Sequence, residues 1–110
     1  MKEVPIILDE LGFQNPEKLH LIIEGDCEHG TGERMQGGKI IVEGNCGNWI
    51  GEHMQSGELN IKGEVKFFAR FAFSPNNRGT IIWKGIEIWR DGNWTKEGKE
   101  MWERGKIPVK

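Results

Sequence analysis

The chain has 110 residues, enough for one domain with a modest core, and its 15 Lys and Arg against 17 Asp and Glu leave a formal net charge of −2. That balance argues against a general nucleic-acid binder, which needs a basic surplus. Glycine is the outlier: there are 16 glycines and only 4 prolines, too little proline for collagen, and the glycines are too interleaved with apolar runs for a flexible linker.

In chain order, Met1-Lys2-Glu3-Val4-Pro5 does not join a basic segment to a long apolar stretch, so no signal peptide is expected. No apolar run approaches the roughly 18 residues of a membrane span. Two cysteines, Cys27 and Cys46, are too few for a secreted disulfide scaffold, which predicts a reduced, cytoplasmic protein. Residues 1–19 hold Ile6-Ile7-Leu8, Leu11, Phe13 and the turn Asn15-Pro16-Glu17. They are expected to form an N-terminal cap with a short helical turn near residues 8–12.

Residues 20–85 contain a repeat. HLIIEGDCEHGTGERMQGG (20–38) aligns without a gap on KIIVEGNCGNWIGEHMQSG (39–57), an offset of 19. The pattern weakens but continues: Leu21, Ile40, Leu59 and Ile81 form one apolar column, Ile23, Val42, Ile61 and Trp83 a second, and Gly25, Gly44, Gly63 and Gly85 close each row. Three extra residues intrude near Ser74-Pro75-Asn76-Asn77, a turn-rich cluster. One short alternating run per period near 20 predicts a solenoid, whose strands stack in parallel because no single coil can bury its apolar side. A hexapeptide helix fails, because a six-residue step from Ile22 meets Glu28 and Arg34. The units also lack the leucines of a leucine-rich repeat and the aspartates of a calcium-binding roll. The expected fold is all-β: a short parallel β-helix of three to four rungs, with its repeat turns at Gly25, Gly44, Gly63 and Gly85.

The string G-[DN]-C-x-x-x-x-G-E-x-M-Q-x-G, within residues 25–63, resembles the glycine-rich (GXGXG) β-helix domain family. That family includes the C-terminal domain of the glutamate synthase large subunit and a subunit of formylmethanofuran dehydrogenase. The resemblance implies a right-handed β-helix and a non-catalytic packing role beside a larger redox or amidotransfer enzyme. It is not apparent in residues 1–18 or 86–110, and Cys27 and Cys46 stand where the family usually has alanine.

Residues 86–110 differ in kind. Ile86-Glu87-Ile88-Trp89-Arg90 alternates, Asp91-Gly92 signals a two-residue hairpin, and Asn93-Trp94 follows. Residues 95–105 predict a short helix, with Thr95 as N-cap and Gly105 as its stop. This segment is expected to cap the last rung, and Trp89, Trp94 and Trp102 are the candidate partner surface.

Residues able to carry chemistry do not form a catalytic pattern. Cys27 and Cys46 share a column continued by Val65, which predicts a buried ladder of small side chains rather than a redox pair or half a metal site. Met35 and Met54, followed by Phe73, predict core filling. Glu33 and Glu52 repeat in register, as do Glu24 and Glu43; stacked carboxylates outside a solenoid are normally solvated rather than catalytic. His20, His29 and His53 have no metalloprotease or triad spacing. The expectation is a non-catalytic scaffold or interaction module with no cofactor. It would engage a protein partner, or self-associate, through a helix end or the C-terminal tail, without nucleic acid or membrane. The alternative is a carbohydrate-binding or glycan-processing protein using Glu33, Glu52 and exposed tryptophans such as Trp49.

Overall fold

A computed structural model describes residues 20–110; the expected N-terminal cap (1–19) lies outside the described residues. The chain forms a parallel β-solenoid of roughly three turns. Strands β1 (His20–Ile23), β2 (Gln36–Val42), β3 (Ser56–Ile61) and β4 (Thr80–Trp83) stack in parallel. The chain then reverses, and β5 (Ile86–Arg90) and β6 (Asn93–Trp94) continue the same sheet antiparallel, giving the order β1-β2-β3-β4-β5-β6. A short helix, α1 (Lys96–Glu103), and a return segment complete the fold.

The two apolar columns are in register as expected. Leu21 lies opposite Ile40, Ile40 opposite Leu59 and Leu59 opposite Ile81, while Ile23, Val42, Ile61 and Trp83 form the parallel row. Alternation sends these residues inward because successive side chains of a strand point to opposite faces. Ile40, Val42, Leu59, Ile61 and Ile81 are at most 1% exposed. The opposite wall is built from single bridges, with Cys46 opposite Val65 and Ile50 opposite Phe68. Cys27, Cys46 and Val65 are all buried, each cysteine a thiol, so the ladder of small side chains is what these positions form. Met35 and Met54 fill the corner of the core.

Gly25, Gly44 and Gly63 sit where one rung touches the next. The Gly44 amide donates to Gly25 O (3.1 Å) and the Gly63 amide to Gly44 O (3.0 Å). A Cβ at Gly44 would lie 2.7 Å from Gly25 O, and one at Gly63 would overlap both Gly44 O and Asn45 Oδ1. Beside this column runs a side-chain ladder: Asp26 Oδ1 accepts from the Asn45 amide (2.7 Å), and Asn45 Oδ1 from the Glu64 amide (2.8 Å). The Asp/Asn that follows each glycine in the repeat therefore bonds the neighbouring rung.

Gly85 departs from this column. It is not a coil corner: Lys84 (φ 54°) and Gly85 (φ 81°) form the two-residue turn between β4 and β5, and nothing lies within 4 Å of a Cβ placed there. With both φ values positive, this is the hairpin geometry that matches strand twist. The donor that a further rung's glycine would supply comes instead from Trp83, whose indole Nε1–H donates to Gly63 O at 2.9 Å.

The C-terminal segment closes both walls. Asp91 (φ 50°) and Gly92 (φ 84°) make the expected hairpin turn. Thr95 caps α1 by accepting from the Gly98 amide (2.9 Å), and Gly105 ends it, its amide donating to Trp102 O (3.0 Å). Gly98 lets the helix press on β5, since a Cβ there would overlap Ile88 O. The chain then returns so that Val109 pairs parallel with Phe68, extending the second wall by one strand.

Candidate ligand-binding edge

Trp89 is not a surface residue. It is 3% exposed, and its indole N–H donates to Asn77 O at 2.9 Å. Trp94 is half-buried, stacked between Phe73 (centroids 4.5 Å apart) and Trp102 (5.5 Å). Phe68, Phe73, Trp83 and Trp89 continue the cluster inward through edge-to-face contacts. Hydrophobic burial turned these rings into a plug on the last rung, so of the three tryptophans expected to form a partner surface only Trp102 is widely open, at 45%.

A different aromatic group reaches solvent, on the turn edge of the solenoid. The backbone there repeats with the sequence: left-handed φ values recur at Gly30 and Trp49 (76° and 60°), Gly32 and Gly51 (81° and 78°), and Arg34 and His53 (55° and 55°). Trp49 thus stands in a corner that the preceding rung builds with glycine, and it is 44% exposed.

The third rung supplies Phe71. Ile50 pairs with Phe68, an offset of 18, yet Leu59 pairs with Ile81, an offset of 22, and the surplus is taken up between them. The 3-10 turn Arg70–Phe73 still follows the repeat, because the Ala72 amide donates to Ala69 O as the Met54 amide does to Gly51 O, and the surplus falls after it, before Arg78 donates to Gln55 O. Ala72 packs against Gly51, where a Cβ would come within 2.9 Å of it. With Ala72 inside, Phe71 points out and is 53% exposed. The loop is held by Asn77, fully buried, whose Nδ2 donates to Ala72 O (2.7 Å) and whose Oδ1 accepts from the Gly79 amide (2.9 Å). A buried amide satisfied on both sides is a rigid anchor.

His53 stacks on Phe71, with centroids 5.1 Å apart and planes 13° apart. On one side of this stack is an open groove of about 580 Å³ bordered by Gln55, Ser56, Ser74, Asn76 and Arg78. On the other is a hollow of about 150 Å³ formed by Trp49, Glu52, Ala69, Arg70, Phe71 and Lys110. Arg78 is fixed by its Nε donating to Asp91 Oδ1 at 2.6 Å. That hydrogen bond, and then the opposite charge, hold the Asp91 carboxyl below its usual range and raise Arg78 further.

Of the residues singled out from the sequence, Trp49 and Glu52 come together in one hollow. Glu33, the counterpart of Glu52, instead lies over Gly30 in the rung above, its Oε1 3.2 Å from where a Cβ would be. The histidines diverge: His20 is exposed on β1, His29 Nδ1 accepts from the Asn48 amide (3.1 Å), and His53 joins the aromatic edge. Among the described residues, no group of three or more His, Cys, Asp or Glu side chains is placed to hold a metal ion, and no helix is long and apolar enough to cross a membrane. Sequence reasoning missed Phe71, His53 and Asn77 as site-builders. The one signal was the insertion near Ser74–Asn77, a break in the period that marks where a rung bulges outward. Comparison with family models, curated proteins and solved structures finds no match.

Proposed function

We propose that this protein is a non-catalytic binding module: a short solenoid that holds the Trp49–His53–Phe71 edge in place for a ligand. The observation that carries this reading is Trp49. A bulky side chain in left-handed backbone costs about 1–2 kcal/mol, and the preceding rung avoids that cost with Gly30. Burial offsets it only in part, because 44% of the residue faces solvent. Backbone strain combined with an exposed aromatic ring is the combination found at binding sites. The meeting of Trp49 and Glu52 in one hollow favours carbohydrate binding, since a sugar takes an aromatic ring on its flat face and a carboxylate on its hydroxyls. A second reading, an accessory piece of a larger redox or amidotransfer enzyme, draws its support from Trp102, 45% exposed on the C-terminal plug.

The test is capture from an extract of the source organism by immobilised wild-type chain, by a Trp49→Gly/Phe71→Ala variant and by Trp102→Ala. Material retained by the wild type and by Trp102→Ala but lost with the double variant supports the proposed edge. Loss with Trp102→Ala alone moves the function to the C-terminal plug. Equal retention by all three sinks both readings.

A further inference from the structure

Resting on the reading of this edge as a binding site, we infer that its ligand class is an acidic oligosaccharide, a chain of sugar rings carrying carboxylate or sulfate groups. Four observations converge on it. Trp49 and Phe71 come from successive rungs: Ile50 pairs with Phe68, so Phe71 lies four positions beyond the residue in register with Trp49. Both border one hollow, so a sugar chain lying there can meet the two rings. The apolar C–H face of a pyranose stacks on an exposed aromatic ring, while its rim hydroxyls both donate and accept.

The groove beyond Phe71 supplies that second requirement. Gln55, Ser56, Ser74 and Asn76 present amides and hydroxyls, which donate and accept in turn. A hydrophobic peptide would want a row of apolar pockets or an open strand edge. Here the exposed apolar lining of the groove is essentially one ring, Phe71, because Met54 is 1% exposed.

Charge decides the acidic class. Arg70 and Lys110 stand at the Trp49 end and Arg78 at the other, while Glu52 is the sole carboxylate among the described residues lining the two hollows. Arg78 is ion-paired with Asp91, so the surplus positive charge at this edge comes from Arg70 and Lys110 set against the carboxylate of Glu52. Guanidinium groups pair with carboxylates or sulfates through parallel N–H donors, and Arg78 is already oriented by Asp91. A nucleic acid would also place anions there. Its bases would stack on the same rings, and the hexanucleotide arm of the titration below separates the two ligands.

The experiment is titration calorimetry of the full chain with four probes: a galacturonate hexamer, a neutral glucose hexamer, hexaglutamate and a uridylate hexanucleotide. The expected result is binding of the galacturonate hexamer alone. Trp49→Gly and Phe71→Ala should each weaken it about tenfold or more, and Arg70→Gln by severalfold. It should also weaken as salt rises from roughly 0.02 M to roughly 0.2 M. Trp49→Gly keeps a residue type the previous rung already uses at this corner, and Phe71 is exposed, so both variants should retain the wild-type far-ultraviolet circular dichroism and a cooperative thermal melt. Equal binding of the neutral hexamer overturns the acidic assignment. Tighter binding of hexaglutamate or the hexanucleotide, with the same dependence on Trp49 and Phe71, overturns the sugar assignment. No galacturonate binding, together with corner-dependent capture from the extract, overturns the ligand class and leaves the binding edge standing. If Trp49→Gly and Phe71→Ala change neither measurement, both inferences fall.

Discussion

The rungs and the C-terminal closure solve one problem by different means. In the rungs, each backbone group that faces along the solenoid axis is satisfied by the next copy of the repeat. The Glu43, Lys62 and Lys84 amides donate to Ile23, Val42 and Ile61 O, one rung back each time, at 2.8 to 2.9 Å. In the closure there is no next copy. Trp83 lends its indole N–H to Gly63, two hairpins fold back on the sheet, and the chain end pairs with Phe68. Repetition tolerates no extra atoms at the Gly44 and Gly63 contacts, whereas the closure is assembled from side chains and turns, tight at Gly98 against Ile88 and open at Gly85. An open solenoid end would otherwise expose both its core and its strand edges.

The sharpest way to break that comparison is to add one methyl group on each side of the boundary. Gly63→Ala places a Cβ against Asn45 Oδ1 and the Gly44 peptide. Neither can retreat without separating two rungs, so the expected loss is about 3 kcal/mol or more. Gly85→Ala meets nothing within 4 Å and bears only the strain of φ 81°, about 1 kcal/mol. Urea midpoints of the two variants measure the difference. Equal losses would mean that Gly63 and Gly85 are equivalent corners after all.

The next effect is smaller and lies at the boundary itself. Trp83→Phe keeps an aromatic ring under the last rung but removes the donor to Gly63 O. Trp83 is 4% exposed, so the carbonyl loses its partner where water reaches poorly. The expected cost is about 1–3 kcal/mol, part of it from lost ring volume. If Trp83→Phe is as stable as wild type, the indole is packing alone and the capping role is wrong.

The rungs were readable because a solenoid writes each contact twice. The columns through Leu21 and Ile23, the cysteine ladder and the glycine row recur at an offset of 19 over the first three rungs, and the strand register follows the recurrence there. The Asp91-Gly92 turn and the Thr95 cap were equally plain, because local backbone chemistry alone determines them. What could not be read occurs once. Gly85 continues the column in spacing, yet no glycine spacing says whether the chain coils onward or turns back. Trp89 and Trp94 carry the composition of a surface patch and the burial of a core, since a tryptophan's partner is chosen by the three-dimensional end it must cover. Phe71 is exposed because Ala72 fits against Gly51, a contact across rungs that no spacing in the neighbouring letters announces.

Trp49 sharpens the comparison from inside the rungs, as the place where the repeat departs from its own glycine. Trp49→Ala and Trp49→Gly remove the same ring and the same partial burial, so their difference isolates the backbone. Trp49→Gly should be the more stable by about 1 kcal/mol, a shift of several degrees in Tm for a chain of this size. Were the alanine variant equal or better, the left-handed corner would store no strain and the argument that Trp49 sits there for binding would lose its footing. The glycine variant, free of the backbone strain that alanine would keep, is also the one suited to the binding experiments, because it comes nearer to separating loss of the ring from loss of the fold.

The smallest effect belongs to the closure and reaches back to the candidate groove. Asp91 sits at the tip of the β5–β6 turn, and its carboxylate holds Arg78. The Arg78 hydrogen bond, then its charge, depress the folded Asp91 pKa below the ordinary 3.8. The pair therefore stabilises fully above that ordinary value, and its contribution is lost as pH falls through the depressed one. Both groups are exposed, so screening keeps the contribution slight. Asp91→Asn tolerates the same positive φ and removes only the charge. Thermal melts of wild type and Asp91→Asn should differ slightly near neutrality, with wild type ahead, and converge as pH falls through the depressed Asp91 value. A gap that persists unchanged in acid would assign the difference to turn geometry. Convergence would leave Arg78 as a guanidinium oriented by the Asp91 charge.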